Sequence, residues 1–302
     1  VWPWDGRIWG DAHESAKDAI ATAAAIASRG EDVWVVVDAR ASDSIPLRLG
    51  RAGGELARLC VIEEATDDVW VRDSGPSYVS DATERVAIDW NFSAWGEKFP
   101  HSNDALLAAK LGRHASAKSE RASLTLEGGA LETNGSGVVL TTRSVVLNSN
   151  RNPGVSEVDA ESEIIKRTGA DQVVWLHAGM SNDDTDGHVD TLARFVSLDT
   201  VLVQALPDEQ HALDERNRVA LRSAGLRVVS LPNPCVENAP ASYANFYFTN
   251  AAVLVPQYGT QHDAAAFELI ASHVDRPVVA VDCSGLITQG GAIHCATQQV
   301  PI

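Results

Sequence analysis

Five polar motifs recur along this 302-residue chain at intervals of about 50–60 residues, centred on Asp73, Glu127, His188, Asn245 and Cys295. Each follows a stretch that reads as helix and strand, so the interval marks one supersecondary unit, repeated. A unit of that size cannot bury its apolar face alone and must stack on its neighbours. Five of them suggest a closed α/β propeller, a five-bladed ring with one polar site where the motifs meet. The units share no clear sequence identity, so the period lies in the order of elements.

Apolar periodicity fills in the units. An alanine-rich helix is expected over about residues 13–28, then a continuous apolar strand at 33–38 and a second strand at 60–62. Residues 67–76 read as a strand that delivers Arg72 and Asp73 to a Gly-Pro turn. Asn134-Gly135 is a hairpin signal. A helix should open near Ser156 and end near Gly169, with strands at 172–176, 192–196 and 201–205 after it. Further on come a helix at 207–225, strands at 226–231 and 243–248, and a last strand, helix and strand at 253–256, 263–273 and 277–281.

No Pro/Gly/Ser-rich spacer or block of like charge interrupts the chain, so one catalytic domain over residues 1–302 is expected. Val1 opens inside what reads as a motif, and a short leading segment is expected to be missing. Lys and Arg number 24 against 41 Asp and Glu, a net charge of −17 that disfavours nucleic acid and anionic membrane surfaces as partners. No apolar run approaches the roughly 18 residues of a membrane span. The four cysteines, Cys60, Cys235, Cys283 and Cys295, are far apart with no C-x-x-C pair. That is the pattern of a reducing cytoplasm, not of a disulfide framework or a cysteine zinc site.

Cys295 follows the pair Gly290-Gly291 and stands among small and amide-bearing residues. Glycines let backbone approach a ligand, and a thiol beside peptide N–H groups can be held as the thiolate that attacks carbon. Cys295 is therefore the candidate nucleophile, and the other three cysteines are assigned to packing. Asp73, His188 and Asp190 are expected at strand-to-loop junctions, His188 and Asp190 two apart on a strand and so on one face. Two carboxylates, an imidazole and a thiol in one pocket suit a planar cation. The aspartates would hold a guanidinium by bidentate hydrogen bonds with its carbon over the sulfur, and the imidazole would protonate the departing amine and then activate water. Singly, the same residues have plainer uses. Asp73 serves equally as a salt-bridged turn residue and His188 as a core histidine. The acidic run 183–190 could hold a divalent ion in a hydrolase, and Trp2, Trp4, Trp90 and Trp95 could simply pack.

Together the motifs resemble those of the agmatine deiminase and bacterial peptidyl-arginine deiminase family, guanidine-modifying enzymes built as five-bladed α/β propellers, the pentein fold. The matching stretches are Trp70-Val71-Arg72-Asp73-Ser74-Gly75-Pro76, Asp89-Trp90-Asn91-Phe92-Ser93-Ala94-Trp95-Gly96, Leu126-Glu127-Gly128-Gly129, Asn150-Arg151-Asn152-Pro153, Thr185-Asp186-Gly187-His188-Val189-Asp190, Ser242-Tyr243-Ala244-Asn245-Phe246-Tyr247 and residues 290–301. They follow the family's order over nearly the whole chain. The resemblance implies that Cys295 forms a covalent thiouronium with the guanidinium carbon. It implies His188 as general acid for ammonia release and then base for the hydrolytic water, with Asp73 and Asp190 holding the guanidinium nitrogens. It also implies substrate-binding roles for Trp70, against the aliphatic stem, and for Asp184, where agmatine deiminases tend to have a Glu near the substrate's far end. Asp184 is one methylene shorter than that Glu, Asn134 replaces a common Asp, and Gln289 stands where a third glycine is usual. These departures touch the substrate tail and leave the reaction intact.

The expectation is a cytoplasmic C–N hydrolase, free of metal and cofactor, that takes a small cationic guanidino substrate, agmatine first, to N-carbamoylputrescine and ammonia. Free arginine, peptidyl-arginine and amidino transfer to an amine share the same chemistry. A metal-dependent hydrolase and a non-catalytic guanidino-compound binder are the readings outside it, and assembly into a homo-oligomer is left open.

Overall fold

The computed structural model describes residues 1–41, 44–80 and 84–301. Their strands form five separate sheets. The first pairs β1 (Val33–Val37) with β2 (Leu59–Glu63) in parallel. The other four repeat one pattern, in which a middle strand runs antiparallel to the strand before it and parallel to the strand after it. They are built from β3 (Ser77–Ser80), β4 (Arg85–Asp89) and β5 (Lys118–Arg121); β6 (Glu132–Thr133), β7 (Val138–Thr142) and β8 (Gln172–Leu176); β9 (Ala193–Phe195), β10 (Thr200–Gln204) and β11 (Arg227–Leu231); and β12 (Tyr247–Phe248), β13 (Val253–Gln257) and β14 (Val278–Asp282).

A parallel pair needs a crossover, and each crossover carries a helix. In chain order these are Ile45–Arg51, Leu107–His114, Glu157–Thr168, His211–Ser223 and Asp263–Ala271. In the first unit the Trp2 N–H donates to the Val36 carbonyl at 2.8 Å, so the chain start lies where the other units have their first strand. The helix Glu157–Thr168 follows its sequence signals, with the Ser156 hydroxyl accepting the Asp159 N–H at its start and Gly169 past its end.

Packing closes the ring. Middle strands β7, β10 and β13 are almost wholly buried, as their unbroken apolar character requires. The alanine-rich helix His13–Ala27 touches both β1 and β14 and so joins the last unit to the first. Ten of its 15 residues are buried, and small alanine side chains let it pack closely on more than one face. The five-bladed propeller expected from the sequence is the architecture observed. Among the described residues no helix is long and apolar enough to cross a membrane.

Three local expectations are corrected. Asp73 is not at the end of a strand; Val71–Ser74 is a helical turn, because the Arg72 N–H is taken by the Cys295 carbonyl at 3.0 Å instead of a ladder partner. Residues 243–246 are loop, since the Tyr243 N–H goes to the Gln204 side chain and the Ala244 N–H to the Ser242 hydroxyl. Cys60 and Cys235 are exposed and do not pack, whereas Cys283 is buried as expected.

This topology positions the motifs. Asp73 stands four residues ahead of β3, Glu127 and His188 five ahead of β6 and β9, and Asn245 two ahead of β12. Each motif thus occupies the segment leading into its unit's first strand. Cys295, beyond β14, is the fifth member, and its carbonyl accepts the Arg72 N–H of the segment leading into β3.

Candidate active site

The loop that carries Cys295, the candidate nucleophile, is fixed from three sides. Gly291 presses on the Trp70 ring so closely that a Cβ there would lie 2.4 Å from it, which accounts for the absence of a side chain before Ala292. The Arg72 guanidinium donates through Nε to the His294 carbonyl at 3.4 Å. The Asn245 side-chain oxygen accepts the N–H groups of His294, at 3.0 Å, and of Cys295, at 3.3 Å. Cys295 itself is 6% exposed and lines the cavity. Its Sγ receives the Asn245 Nδ2 at 3.2 Å and faces Asp190 Oδ2 at 3.6 Å. Burial, and then the carboxylates of Asp190 and Asp73, push the thiol well above its usual range. Burial and these carboxylates therefore favour the thiol form of the sulfur. The local backbone and the Asn245 amide pull toward the thiolate, as expected from the sequence, but do not win alone.

The carboxylates and the imidazole converge on Gly129. A Cβ at that position would lie 2.6 Å from His188 Nδ1, 2.7 Å from Asp73 Oδ1 and 3.1 Å from Asp190 Oδ2. Asp73 accepts the Gly129 N–H on Oδ1 and the Trp95 indole N–H on Oδ2, both at 3.0 Å. Asp190 Oδ2 accepts from His294 Nδ1 at 2.7 Å and from Asn245 at 3.3 Å. Its Oδ1 is buried and has no hydrogen-bond partner among the described residues. Burial raises the Asp190 carboxyl to about 7 and raises Asp73 as well, with His188 opposing both shifts.

His188 is fully buried, and its Nε2 donates to Glu127 at 3.0 Å. Glu127 is held in turn by Arg151 Nε at 2.8 Å, and Arg151 reaches Asp186 at 2.6 Å. Burial alone would lower the imidazole, but Asp73, Glu127 and Asp190 outweigh it and raise the ring to about 9. His188 Nδ1 lies 3.6 Å from Asp73, beyond a hydrogen bond, and has no hydrogen-bond partner among the described residues. At neutral pH the ring is an imidazolium with one N–H committed to Glu127 and the other free.

A cavity of about 960 Å³ opens from Cys295 to the surface. Trp70, Trp95 and Phe92 form part of its wall, and Asp67, Asp68, Asp183, Asp184 and Glu237 line it as well. Its cations are already paired: Arg7 with Asp5 at 2.6 Å and Arg40 with Asp38 at 2.6 Å. The acidic run 183–190 does not converge on one point. Asp186 is tied to Arg151 and Lys98, Asp183 accepts from the Thr185 hydroxyl, and Asp190 lies deep beside Cys295.

Of the six residues singled out from the sequence, Cys295, Asp73, His188 and Asp190 are brought together, Trp70 packs on the nucleophile loop and lines the cavity, and Asp184 stands exposed on its wall. His188 and Asp190 reach the same space without lying on a strand, because Val189–Thr191 is a helical turn and not extended. Sequence reasoning missed Asn245, Glu127, His294 and Trp95 as members of the site. For Asn245 and Glu127 the five-unit period was a signal, since both are motif centres; for His294 and Trp95 nothing in the sequence separated them from packing.

The chain is similar to known proteins along its whole length. The sequence family described as Porphyromonas-type peptidyl-arginine deiminase matches residues 1–301. A Lactococcus lactis protein provisionally named agmatine deiminase is 32% identical over 340 residues, covering 100% of this chain and 91% of that protein. The solved structure of a provisionally named arginine deiminase from Porphyromonas gingivalis superposes with a TM-score of 0.87 at 32% identity, over 99% of this chain and 94% of that one. An agmatine deiminase of Enterococcus faecalis does so with a TM-score of 0.87 at 29% identity, over 99% and 91%.

Proposed function

The chain belongs to the Porphyromonas-type peptidyl-arginine deiminase family, and from that premise we propose that it hydrolyses agmatine to N-carbamoylputrescine and ammonia as a single cytoplasmic catalytic domain. One observation carries the reading. Asp190 and His188 meet at Gly129, Asp190 with one oxygen 3.6 Å from the Cys295 sulfur, and among the described residues Asp190 Oδ1 is a buried acceptor with no donor and His188 Nδ1 a buried donor with no acceptor. A guanidinium supplies the missing N–H groups, and its departing nitrogen supplies the missing acceptor.

The charge balance orders the steps. Burial and then two carboxylates favour the protonated thiol, and a guanidinium bound between Asp73 and Asp190 offsets the carboxylates and adds a positive charge beside the sulfur, so loss of its proton to solvent is favoured when substrate is present. The thiolate attacks the central carbon, a C–S bond forms, and the displaced electron pair settles on nitrogen. His188 gives its Nδ1 proton to that nitrogen, the C–N bond breaks and ammonia leaves. The neutral imidazole then takes a proton from water as the oxygen attacks the thiouronium carbon, and the C–S bond breaks to return the thiolate while the remaining O–H proton passes to solvent and the carbonyl forms. Glu127, held by Arg151, keeps the imidazole oriented.

The substrate tail follows from the wall charges. Asp67, Asp68, Asp183, Asp184 and Glu237 favour a terminal ammonium, and with Arg7 and Arg40 already paired the cavity has little to offer an α-carboxylate. That favours agmatine over free arginine. The cytoplasmic placement is supported by the exposed thiols of Cys60 and Cys235, which suit a reducing compartment.

The test is ammonia release from agmatine, arginine and an arginine-containing peptide by the wild type and Cys295→Ala. Release from agmatine that vanishes in the variant is the expected result. A folded wild type that turns over none of the three overturns the reading.

A further inference from the structure

We propose that His294 is a positioning residue of the reaction: its imidazole donates to one oxygen of Asp190 and so presents the other, free oxygen to the guanidinium. The inference rests on the hydrolase reading above and adds a residue to it.

The contacts divide the Asp190 carboxylate in two. Oδ2 is loaded, with His294 Nδ1 at 2.7 Å, Asn245 Nδ2 at 3.3 Å and the Cys295 sulfur at 3.6 Å. Oδ1 is buried with no hydrogen-bond partner among the described residues. The shortest contact is the one from His294, whose ring has little freedom. It is 2% exposed and packs against Tyr247 with ring centroids 6.3 Å apart. On the backbone, the His294 N–H donates to Asn245 Oδ1 at 3.0 Å, and its carbonyl accepts from Arg72 Nε at 3.4 Å and from the Thr297 hydroxyl at 3.0 Å. A donor held this firmly on one carboxylate oxygen fixes where the other oxygen points.

The protonation state suits a cationic substrate. A carboxylate that holds a guanidinium must be ionised, and an ionised oxygen only accepts, so the His294 proton sits on Nδ1. Burial, and then Arg194, Arg72 and His188, hold the ring well below the usual imidazole range, so it stays neutral. A cation hydrogen-bonded to Asp190 would cancel the charge that attracts the substrate, whereas a neutral N–H supports the carboxylate and leaves its charge available. Asp73 follows the same rule, its hydrogen bonds coming from the Gly129 peptide and the Trp95 indole. The charged and titratable groups that face Asp190 from the other elements are Arg72 and Asp73, His188, Arg194 and the Cys295 thiol. The two arginines are turned away, Arg72 to the His294 carbonyl and Arg194 to Glu132 and the Phe246 carbonyl, and His188 is turned to Glu127.

His294→Asn and His294→Phe separate donation from packing. Both keep the backbone contacts; Asn also keeps a neutral N–H as far along the side chain as Nδ1, whereas Phe keeps an aromatic ring and loses the donor. Agmatine binding would be measured by calorimetry across pH in a Cys295→Ala background, which prevents turnover. Binding to the parent should weaken as pH falls through about 7 and Asp190 takes up a proton. His294→Phe is expected to weaken binding by about 10- to 10²-fold, the scale of one hydrogen bond to a charged group. Its acid limb should move up by about one pH unit, because the ionised carboxyl has lost a donor. His294→Asn should keep both near the parent values. A folded His294→Phe protein with unchanged binding and an unmoved limb overturns the proposal. So does a folded Asn variant that behaves like the Phe variant, since packing alone would then explain the loss. If the Phe variant does not fold, nitrogen NMR of the histidine-labelled parent decides, with His294 identified by the signal lost in His294→Asn. A neutral ring protonated on Nδ1 at pH 7 is expected there, and an imidazolium or an Nε2–H ring overturns the proposal. Neither measurement requires turnover, and the ring can be read without ligand, so failure of the hydrolase reading would appear as absent ammonia release by the wild type and leave this test intact.

Discussion

The reacting end of the cavity and its mouth are built on opposite rules. At the reacting end Cys295, Asp73, His188, Asp190, Glu127 and Asn245 are all 6% exposed or less, and most of their polar atoms meet named partners. At the mouth Asp184 is exposed, its contact with Lys98 runs through its backbone carbonyl, and the Arg7 side chain is 85% exposed. Two charges 4 Å apart interact by about 4 kcal/mol where water is largely excluded and by about 1 kcal/mol in bulk water. The buried end can therefore set protonation states and geometry through single contacts. The mouth can only add weak, screened preferences. Chemistry should respond steeply to small changes at one end, and substrate choice gently to changes at the other.

The sharpest way to break that contrast is Gly129→Ala. The added methyl would sit within 3.1 Å of His188, Asp73 and Asp190 together, and because a Cβ cannot rotate away, only displacement of those three side chains can relieve it. Overpacking of this kind costs about 1–3 kcal/mol of stability, and misplacing reacting groups by about 1 Å costs on the order of 10²-fold in rate. The expected outcome is kcat/KM for agmatine down by about 10²-fold or more, with a cooperative melt retained. Near-wild-type turnover would mean that the buried end is far more compliant than its contacts imply.

The same contrast governs what could be read from sequence. Cys295, His188, Asp73 and Asp190 were legible because enclosed chemistry tolerates few residue types, so the motifs carry the whole message. The five units were legible because Val/Leu runs such as β10 can only be buried strands. What escaped was set by the tertiary partner. Whether Trp95 packs or donates to Asp73 depends on a loop in which Ala94, Trp95 and Glu97 all adopt positive φ, a conformation no local propensity favours. The protonated state of Cys295 depends on Asp73 and Asp190, brought in from two other units. Residues 71–74 and 243–246 carry strand-like sequences whose N–H groups were claimed by the site instead.

A gentler probe of the buried end is its pH response. His188 is raised to about 9, above its ordinary value, so its charged form is favoured in the folded protein. That contribution to stability is fully present below about 6.5 and is lost as pH rises through about 9. With the imidazolium as the proposed acid for ammonia release, the alkaline limb of kcat/KM should fall near that pH. Glu127→Gln removes a carboxylate that raises the ring, while an amide oxygen can still accept the Nε2 hydrogen. The limb should move down by about one pH unit or more, roughly tenfold in activity at pH 9. A limb that stays in place would show that another group titrates there.

The smallest effect should come from the mouth. Asp184 is exposed, so replacing it with Asn removes one screened charge from a wall that keeps Asp67, Asp68, Asp183 and Glu237. An exposed ion pair contributes about 0–1 kcal/mol, so KM for agmatine should rise about two- to fivefold with kcat unchanged, the signature of binding lost equally from ground and transition states. Because the Debye length is only about 3 Å at 1 M salt, the difference between variant and wild type should shrink there. The Glu127→Gln shift, made behind a closed wall, should persist at that salt. If Asp184→Asn instead lowers kcat, or if its effect withstands salt, then the distal charge reaches the sulfur and the two ends of the cavity act as one.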